Sequence, residues 1–175
     1  MKVSAYMAQS LDGYIAGPNG ELDWLEDIEN PDESDFGFAE FMSSVDALLM
    51  GKHTFEKVAS FGFWPYDKPV YVASNSLTSL PEELKDKATI VSGSFPDMLA
   101  HLESRDVSAV YIDGGQLIQS AIRHGVLREL TVTTMPVILG AGIPLFGPLE
   151  SKVKLSLVNS EVLVGQMVKT RYQVD

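Results

Sequence analysis

The chain has 175 residues, of which 45% are hydrophobic and 21% charged, a composition typical of a globular domain with its own core. A formal net charge of -11 argues against a nucleic acid as the main partner, because phosphate backbones require a basic face. The absence of cysteine excludes disulfides, thiolate nucleophiles and cysteine-based zinc sites.

The chain carries no recognisable targeting or spanning segment. Its first residues lack the apolar core and small-residue cleavage site of a signal peptide, and no apolar run reaches transmembrane length. We therefore expect a cytoplasmic protein. No linker, repeat or low-complexity tract interrupts the sequence, so we predict a single domain covering residues 1–175.

Short apolar runs alternate with segments of helical spacing along most of the chain. The runs predict strands at 2–9, 46–50, 69–73, 88–91, 108–112 and 128–134, and the helical segments lie near 34–44, 53–59, 95–104 and 116–124. Gly125 is well placed to end the last helix. This alternation predicts a mostly parallel sheet that is covered on both faces by helices.

The carboxyl-terminal part has a different pattern. Residues 153–174 alternate with a period of two and contain a turn signal near Val164, Gly165 and Gln166. We predict an antiparallel hairpin at one edge of the sheet. The expected fold class is thus α/β, with a mixed, mostly parallel sheet and an antiparallel tail.

Two glycine-containing turns each follow a predicted buried strand and begin a helix. The first is Gly51-Lys52-His53-Thr54, and the second is Gly114-Gly115 followed by Gln116. Helix amino termini favour anions, and glycines allow close approach to the backbone. Both turns lie at carboxyl ends of strands, where α/β proteins bind ligands, so we predict that a diphosphate spans them.

Each turn also has a purely structural interpretation. Thr54 can cap a helix and Gly51 can make a tight turn, although this leaves Lys52 and His53 unexplained. The paired glycines can likewise be a simple strand-to-helix connection. Neither turn fits the P-loop or GxGxxG fingerprints, which argues against a P-loop NTPase and an ordinary Rossmann domain.

Residues 13–24 form a glycine-rich loop that carries large apolar side chains. Tyr14, Leu22 and Trp24 could close over a ligand ring, and a packed surface turn is the alternative interpretation. No serine-hydrolase elbow and no metal-ligand spacing is present, so we predict no metal site.

Two carboxylates are candidates for chemistry. Asp113 precedes the paired glycines, and Asp35 lies at the start of the helix predicted at 34–44. Turn formation and favourable interaction with the helix dipole are sufficient structural reasons for both.

Five motifs together resemble the dihydrofolate-reductase-like superfamily. They are SLDGYIAG, LLMGKHTFE, VYVASN, YIDGGQLI and LTVTTMPVILGAGIPLF, in the order and spacing of that superfamily. The chain looks most like the RibD C-terminal-domain branch, the reductase domain of bacterial riboflavin biosynthesis and its stand-alone relatives. The resemblance extends over nearly the whole chain and implies a dihydrofolate-reductase-like fold that binds a reduced nicotinamide dinucleotide.

The resemblance also implies roles for individual residues. Residues 51–54 match the first phosphate-binding turn, and Gly114, Gly115, Gln116 and Leu117 match the second. Ser74 and Asn75 match the strand end beside the adenosine ribose. Ala8, Ile15 and Ala16 match the nicotinamide pocket, with residues 13–24 as its cover.

The chain departs from typical members at two places. An arginine that grips the 2′-phosphate often follows the serine at position 74, but here Asn75 follows it, so NADPH is expected from family habit and NADH is not excluded. The Trp-x-Leu-Pro segment of true dihydrofolate reductases is also missing. Asp35 nevertheless has about the spacing of their pterin-binding carboxylate, which makes it the candidate for the substrate's polar anchor.

The resemblance predicts an NADPH-dependent reductase that acts on a small heterocycle, either pterin-like or like a riboflavin-pathway pyrimidine. It also predicts a homodimer, which is usual in this branch. A non-catalytic nucleotide-binding or scaffold module with the same fold is the alternative.

Overall fold

The computed structural model describes residues 1–175, which form a mixed sheet with helices on both faces. The strands are β1 (Lys2–Gln9), β2 (Tyr14–Ala16), β3 (Ala47–Gly51), β4 (Val70–Ala73), β5 (Ala88–Val91), β6 (Ala109–Asp113), β7 (Leu127–Thr134), β8 (Ile143–Pro144), β9 (Leu155–Leu163) and β10 (Met167–Val174). The helices are α1 (Phe38–Ser43), α2 (Lys52–Ala59), α3 (Phe95–Glu103) and α4 (Gly115–Arg123), with 3-10 turns at Asp23–Glu26 and Glu82–Leu84.

Eight strands form the main sheet in the order β5-β4-β3-β6-β1-β7-β10-β9. The first six in this order are parallel to one another, β10 is antiparallel to β7, and β9 is antiparallel to β10. β2 and β8 form a separate two-stranded ribbon. The predicted fold class, a mostly parallel sheet with an antiparallel carboxyl-terminal hairpin, is confirmed.

Apolar side chains alternate between the two faces of the central strands, which gives the sheet a core on each side. On one face, Phe41 of α1 and Phe55 of α2 pack with Leu48 and Tyr111. On the other, Met98 of α3 and Ile118 of α4 belong to the larger cluster. Strands that are buried on both faces have continuous apolar sequences, and for this reason the sequence predicted their positions closely.

The helix predicted at 34–44 is shorter than expected, because α1 begins only at Phe38. Phe36 and Gly37 have positive φ values of 54° and 87°, a conformation that cannot continue a right-handed helix. By contrast, Gly125 ends α4 as predicted, with a φ of 64° and its N–H donated to the Ile122 carbonyl. No helix combines the length and apolar character needed to cross a membrane.

Candidate active site

Most of the predicted site residues lie at the carboxyl-terminal ends of three neighbouring strands, β3, β6 and β1. Met50 of β3 is paired with Asp113 of β6, and Tyr111 of β6 is paired with Ser4 of β1. The turn at Gly51 and the turn at Gly114 therefore follow adjacent strands. The sheet order brings the two glycine turns side by side.

The helices that begin at these two turns have amino termini without side-chain caps. α2 begins after Gly51 and α4 after Gly114, and no side chain accepts a hydrogen bond from the first N–H groups of either helix. The amino terminus of α3 is different, since Ser94 and Asp97 form a complete capping box. N–H groups without a side-chain cap at the positive ends of two helix dipoles are suited to an anion.

Gly114 is the contact point between the two turns. Its φ of 106° favours glycine, and a Cβ there would lie only 2.8 Å from Thr54 Oγ1. Thr54 therefore does not cap α2: Gly51 is the N-cap residue, and Thr54 faces the second turn instead. Gly51 itself has an ordinary φ of -72° and open space around its Cβ position.

Both basic side chains of the first turn lie beside one carboxylate. Lys52 Nζ lies 3.8 Å from the carboxylate of Glu56, and His53 Nδ1 lies 3.4 Å from the same carboxylate. The His53 side chain is 92% exposed. The anion preference of this turn thus rests more on the helix backbone than on these two side chains.

Ser74 and Asn75 lie at the carboxyl end of β4, on the same edge, and organise the local backbone. Ser74 Oγ accepts hydrogen bonds from the N–H groups of Ser76 and Leu77. Asn75 Oδ1 accepts one from the Gly93 N–H at 2.7 Å, which links the ends of β4 and β5. Both residues thus shape the loops beside the turns.

The residues matched to the nicotinamide pocket lie along β1 and the β2–β8 ribbon. Ala8 is partly exposed near the end of β1, and Ala16 is buried in β2. Ile15 approaches α4 closely, because a Cβ at Gly115 would lie 3.0 Å from Ile15 Cδ1 and 3.1 Å from the Pro144 carbonyl. At the start of α4, Gln116 is exposed and Leu117 is partly buried.

The loop at 13–24 is firmly held. Ala16 pairs with Ile143, and the Leu145 N–H donates to the Gly13 carbonyl. Trp24 is only 5% exposed, packs with Met135 and Met167, and donates from Nε1 to the Glu21 carbonyl. In this arrangement the indole is part of a small core and is not free to cover a ligand.

The two other large side chains of this loop, Tyr14 and Leu22, remain partly exposed. A lid role for them stays a prediction.

Asp35 acts as a local cap for α1. Its two carboxylate oxygens accept hydrogen bonds from the N–H groups of Gly37 and Ala39, at 2.9 and 2.8 Å. These two backbone donors hold the pKa of the exposed carboxyl below its usual range. Both oxygens are therefore already engaged, and the structural interpretation accounts for Asp35 fully.

Asp113 emerges as the carboxylate with the strongest perturbation, although its sequence context resembled a turn residue. It ends β6 directly before the paired glycines, and burial raises the pKa of its carboxyl to about 6. The nearby Tyr111 hydroxyl and Gly114 N–H offset part of that rise in the pKa, although the hydroxyl itself donates to the Tyr6 carbonyl at 3.1 Å. The feature of the sequence that pointed to Asp113 as a functional candidate was its position between a buried strand and the paired glycines.

Aromatic rings pack around Tyr111, which lies two residues before Asp113, on the face covered by α1. Phe38 of α1 lies 5.6 Å from the Tyr6 ring and 6.3 Å from the Tyr111 ring, measured between centroids. Burial raises the pKa of the Tyr66 hydroxyl, and the nearby charge of Asp113 adds to that rise. No three His, Asp or Glu side chains converge into a group that could hold a metal ion.

A family comparison accounts for this arrangement. Residues 1–169 match the model of the RibD C-terminal domain. The chain belongs to the RibD C-terminal domain family.

Relatives within and beyond the RibD C-terminal domain family match the chain almost end to end. The uncharacterized protein YwjB of Bacillus subtilis is 34% identical over 98% of this chain and 97% of its own length. A solved protein from Shewanella sp. PV-4, named for riboflavin biosynthesis, is 41% identical with a TM-score of 0.95, covering 100% and 99% of the two chains.

Dihydrofolate reductase from Enterococcus faecalis, solved with NADP(H), has a TM-score of 0.70. It is 18% identical and covers 99% and 96% of the two chains, so this likeness shows the fold alone.

The residues of this RibD C-terminal domain fit a nicotinamide dinucleotide. The two uncapped helix starts supply donors for a diphosphate, and Gly51 leaves open space in front of the first. Next to Ala8, the Gln9 Oε1 atom is buried and has no hydrogen-bond partner, an unusual state for a buried acceptor. A ligand donor at the end of β1 would satisfy it.

Proposed function

We propose that the chain is an NADPH-dependent reductase that transfers a hydride to a small heterocycle, either pterin-like or like a riboflavin-pathway pyrimidine. The observation that carries the proposal is the pair of uncapped helix starts at adjacent strands. Membership in the RibD C-terminal domain family and the fold shared with an NADP(H)-bound dihydrofolate reductase support it.

In this proposal the backbone holds the cofactor. The N–H groups that begin α2 and α4 bind the diphosphate, with Thr54 and Lys52 beside it, and Ser74 and Asn75 lie along the ribose side. Residues Ala8, Ile15 and Ala16 line the nicotinamide pocket. Gly114 is essential because any side chain there would separate the two turns.

The bound cofactor supplies the hydride, and the protein must supply a proton to the reduced C=N or C=O group. Asp113 suits this role because burial keeps its carboxyl protonated to an unusually high pH, with a pKa of about 6. The Asp113 carboxyl would give its proton to the substrate heteroatom, and solvent would then reprotonate the partly exposed carboxylate. Asp35 stays in its role at the start of α1.

The aromatic side chains around Tyr111 support the proposed substrate class. The rings of Tyr6, Phe38 and Tyr111 favour a flat aromatic ligand, because ring faces and edges pack well against one another. In this proposal a flat heterocycle with a polar edge would pack against the partly exposed rings of Tyr6 and Phe38, with its heteroatom at Asp113.

Cofactor binding can be tested by thermal protection. We expect NADPH to raise the melting temperature of the wild type, because at a hundred times Kd a ligand stabilises the folded state by about 2.7 kcal/mol. Gly51→Val should abolish this protection, since its side chain would occupy the open space before α2, where an added Cβ has no neighbour within 4 Å. NADH, tested in parallel, reports the cofactor preference.

Ser60→Val is the matched control, because it places the same side chain at the opposite, exposed end of α2. It should keep full protection by NADPH. Gly115→Val is a poor test, since its side chain would clash with Ile15 and Pro144 whether or not cofactor binds. Equal protection of Gly51→Val and the wild type would refute the diphosphate site.

Turnover is tested separately by following the oxidation of NADPH in the presence of reduced pterins, riboflavin-pathway pyrimidines or small carbonyl compounds. We expect oxidation with at least one heterocycle. Protection by NADPH without oxidation of any of these substrates would favour the non-catalytic nucleotide-binding module instead.

A further inference from the structure

A hollow of about 380 Å³ lies where the end of α4 meets the end of β10, and we refer to it as the α4 hollow. Helix α4 begins at the second glycine turn, and its nine residues span about 13 Å, so the hollow lies at the opposite end of the helix from the candidate active site. No residue assigned to that site lines it. Its volume falls within the range of about 300–1,000 Å³ that is typical of small-molecule sites.

The floor of the α4 hollow belongs to the protein core. Ala121 of α4, Leu127 of β7 and Val174 of β10 line it, and all three are buried members of the larger apolar cluster. Ile122 and Val153 complete the apolar lining, and Val153 is 37% exposed. Apolar surface at the floor of an open hollow is left in contact with water, so an apolar ligand body would be stabilised there.

Basic side chains lie at the same hollow. Lys152 and Lys154 line it, one on each side of Val153 in the sequence, and neither forms an ion pair. Arg128 is held next to it, because its guanidinium donates to the carbonyl of Gly125, a lining residue, at 2.9 Å. An arginine has five N–H donors, so others remain for a ligand.

The acidic residue of the α4 hollow is already engaged. Asp175 Oδ1 accepts a hydrogen bond from the Ser156 hydroxyl at 2.8 Å, and the Asp175 N–H donates to the Lys154 carbonyl at 3.1 Å. The two lysines are thus left without a counter-ion in a chain whose net charge is -11. Unpaired cations in so acidic a chain favour an anion from solution.

Other roles for these cations leave the hollow itself unexplained. Lysines beside an edge strand hinder edge-to-edge pairing, and Lys154 directly precedes β9, the outermost strand. Arg128 satisfies a carbonyl at the end of α4, where the helix dipole also favours a cation. Neither role requires an open apolar floor beside the cations.

We propose that the α4 hollow binds a small amphipathic anion, a molecule with a short aliphatic chain and one carboxylate. The chain packs on the core residues of the floor, because all of the apolar lining is aliphatic and no aromatic ring is present to stack on a flat ligand. The carboxylate lies among Lys152, Lys154 and Arg128. This proposal does not rest on the proposed reductase function, since no residue of the cofactor site takes part.

The test is calorimetric titration of the full chain with octanoate, for which we expect saturable binding at a single site per chain. 1-Octanol and octylammonium have the same chain length, and both should bind at least about tenfold more weakly because they cannot pair with the cations. 2-Naphthoate, which has a flat aromatic body, should also bind more weakly than octanoate. Saturating NADPH should leave the Kd for octanoate unchanged, which separates this site from the candidate active site.

Two double variants test the role of the lysines. Lys152→Gln with Lys154→Gln should raise the Kd for octanoate by about tenfold, since each exposed ion pair contributes modestly. Lys57→Gln with Lys87→Gln makes the same charge change at two exposed lysines that also lack an ion pair, and it should bind octanoate like the wild type.

Methyl NMR of the wild type locates the ligand without depending on how a variant folds. Signals of Ala121, Leu127 and Val174 should shift on addition of octanoate, whereas those of Leu48 and Val72, buried on the other face of the sheet, should not. No saturable binding, equal binding of 1-octanol, octylammonium or 2-naphthoate, displacement by NADPH, unchanged affinity in the first double variant, or shifts confined to residues outside the hollow would each overturn the proposal.

Discussion

An ionised carboxylate at the end of β6 is costly to the folded protein near neutral pH. Asp113 has a pKa of about 6 against an ordinary value of 3.8, because the surrounding protein removes water from its charged form. A solvated turn residue would carry no such cost. Residues that destabilise the fold in this way are concentrated at sites where chemistry requires them.

We predict that Asp113→Asn stabilises the fold near neutral pH. The folded state holds the Asp113 proton more tightly than the unfolded state does, so this residue's contribution to stability is present below pH 3.8 and is lost as pH rises to about 6. Asparagine does not titrate, and the variant should gain on the order of 1–3 kcal/mol relative to the wild type. Urea unfolding at acid and neutral pH measures the difference.

Asp67→Asn, at an exposed loop carboxylate, is the control and should change stability little at either pH. In a turnover assay the wild-type rate should fall as pH rises through about 6, the pKa of Asp113, and Asp113→Asn should lose both rate and pH dependence. A variant with the wild-type pH profile would remove Asp113 from the reaction.

At the scale of the elements, the apolar periodicity of the sequence predicted the strands and helices. It could not predict features that depend on the backbone angles of single residues. Buried strands, α3, α4 and the hairpin turn appeared close to their predicted positions, since apolar spacing determines them. The β2–β8 ribbon was not predicted, because its short strands pair across more than a hundred residues. Likewise, nothing in the sequence showed that Phe36 would adopt a positive φ and delay α1.

The features of the candidate site also fall into those that the sequence could predict and those that it could not. The glycine turns could be predicted because glycine, position after a strand and helix start are all local signals. The desolvation of Asp113 and the burial of Trp24 could not, since both depend on residues distant in sequence, such as Tyr66 and Met167. Sequence alone shows which groups exist, and the fold determines how much water reaches them.

We predict that Asp35→Ala destabilises α1 at neutral pH by removing the acceptor for the Gly37 and Ala39 N–H groups. The lowered pKa of Asp35 means that its contribution is present above its unfolded pKa and is lost as pH falls. The melting-temperature difference from the wild type should therefore shrink in acid. Asp32→Ala, at a nearby exposed carboxylate, is the control.

Turnover separates the two interpretations of Asp35. If Asp35 serves only to cap α1, Asp35→Asn should keep the wild-type KM for any substrate found by screening. A large rise in KM with unchanged NADPH protection would restore Asp35 as the substrate's polar anchor.

Over the whole molecule, one lysine ties the carboxyl-terminal hairpin to the segment that precedes α1. Lys169 Nζ on β10 donates to the Phe36 carbonyl at 2.6 Å and lies 2.7 Å from Glu161 of β9. Tyr6 of β1 donates to the same carbonyl at 3.0 Å. The strained Phe36 is thus fixed by two distant strands, and α1 takes its position over Tyr6 and Tyr111 from them.

We predict that Lys169→Met loosens this segment while leaving the sheet intact. The Lys169 side chain is only 16% exposed, so its loss leaves Glu161 without its cation and the Phe36 carbonyl with one donor instead of two. Hydrogen exchange at Gly37 and Ala39 should quicken, with unchanged protection in β1 and β6. Lys87→Met, at an exposed lysine, should change neither set of amides, and if Lys169→Met behaved the same way, the hairpin would not control the position of α1.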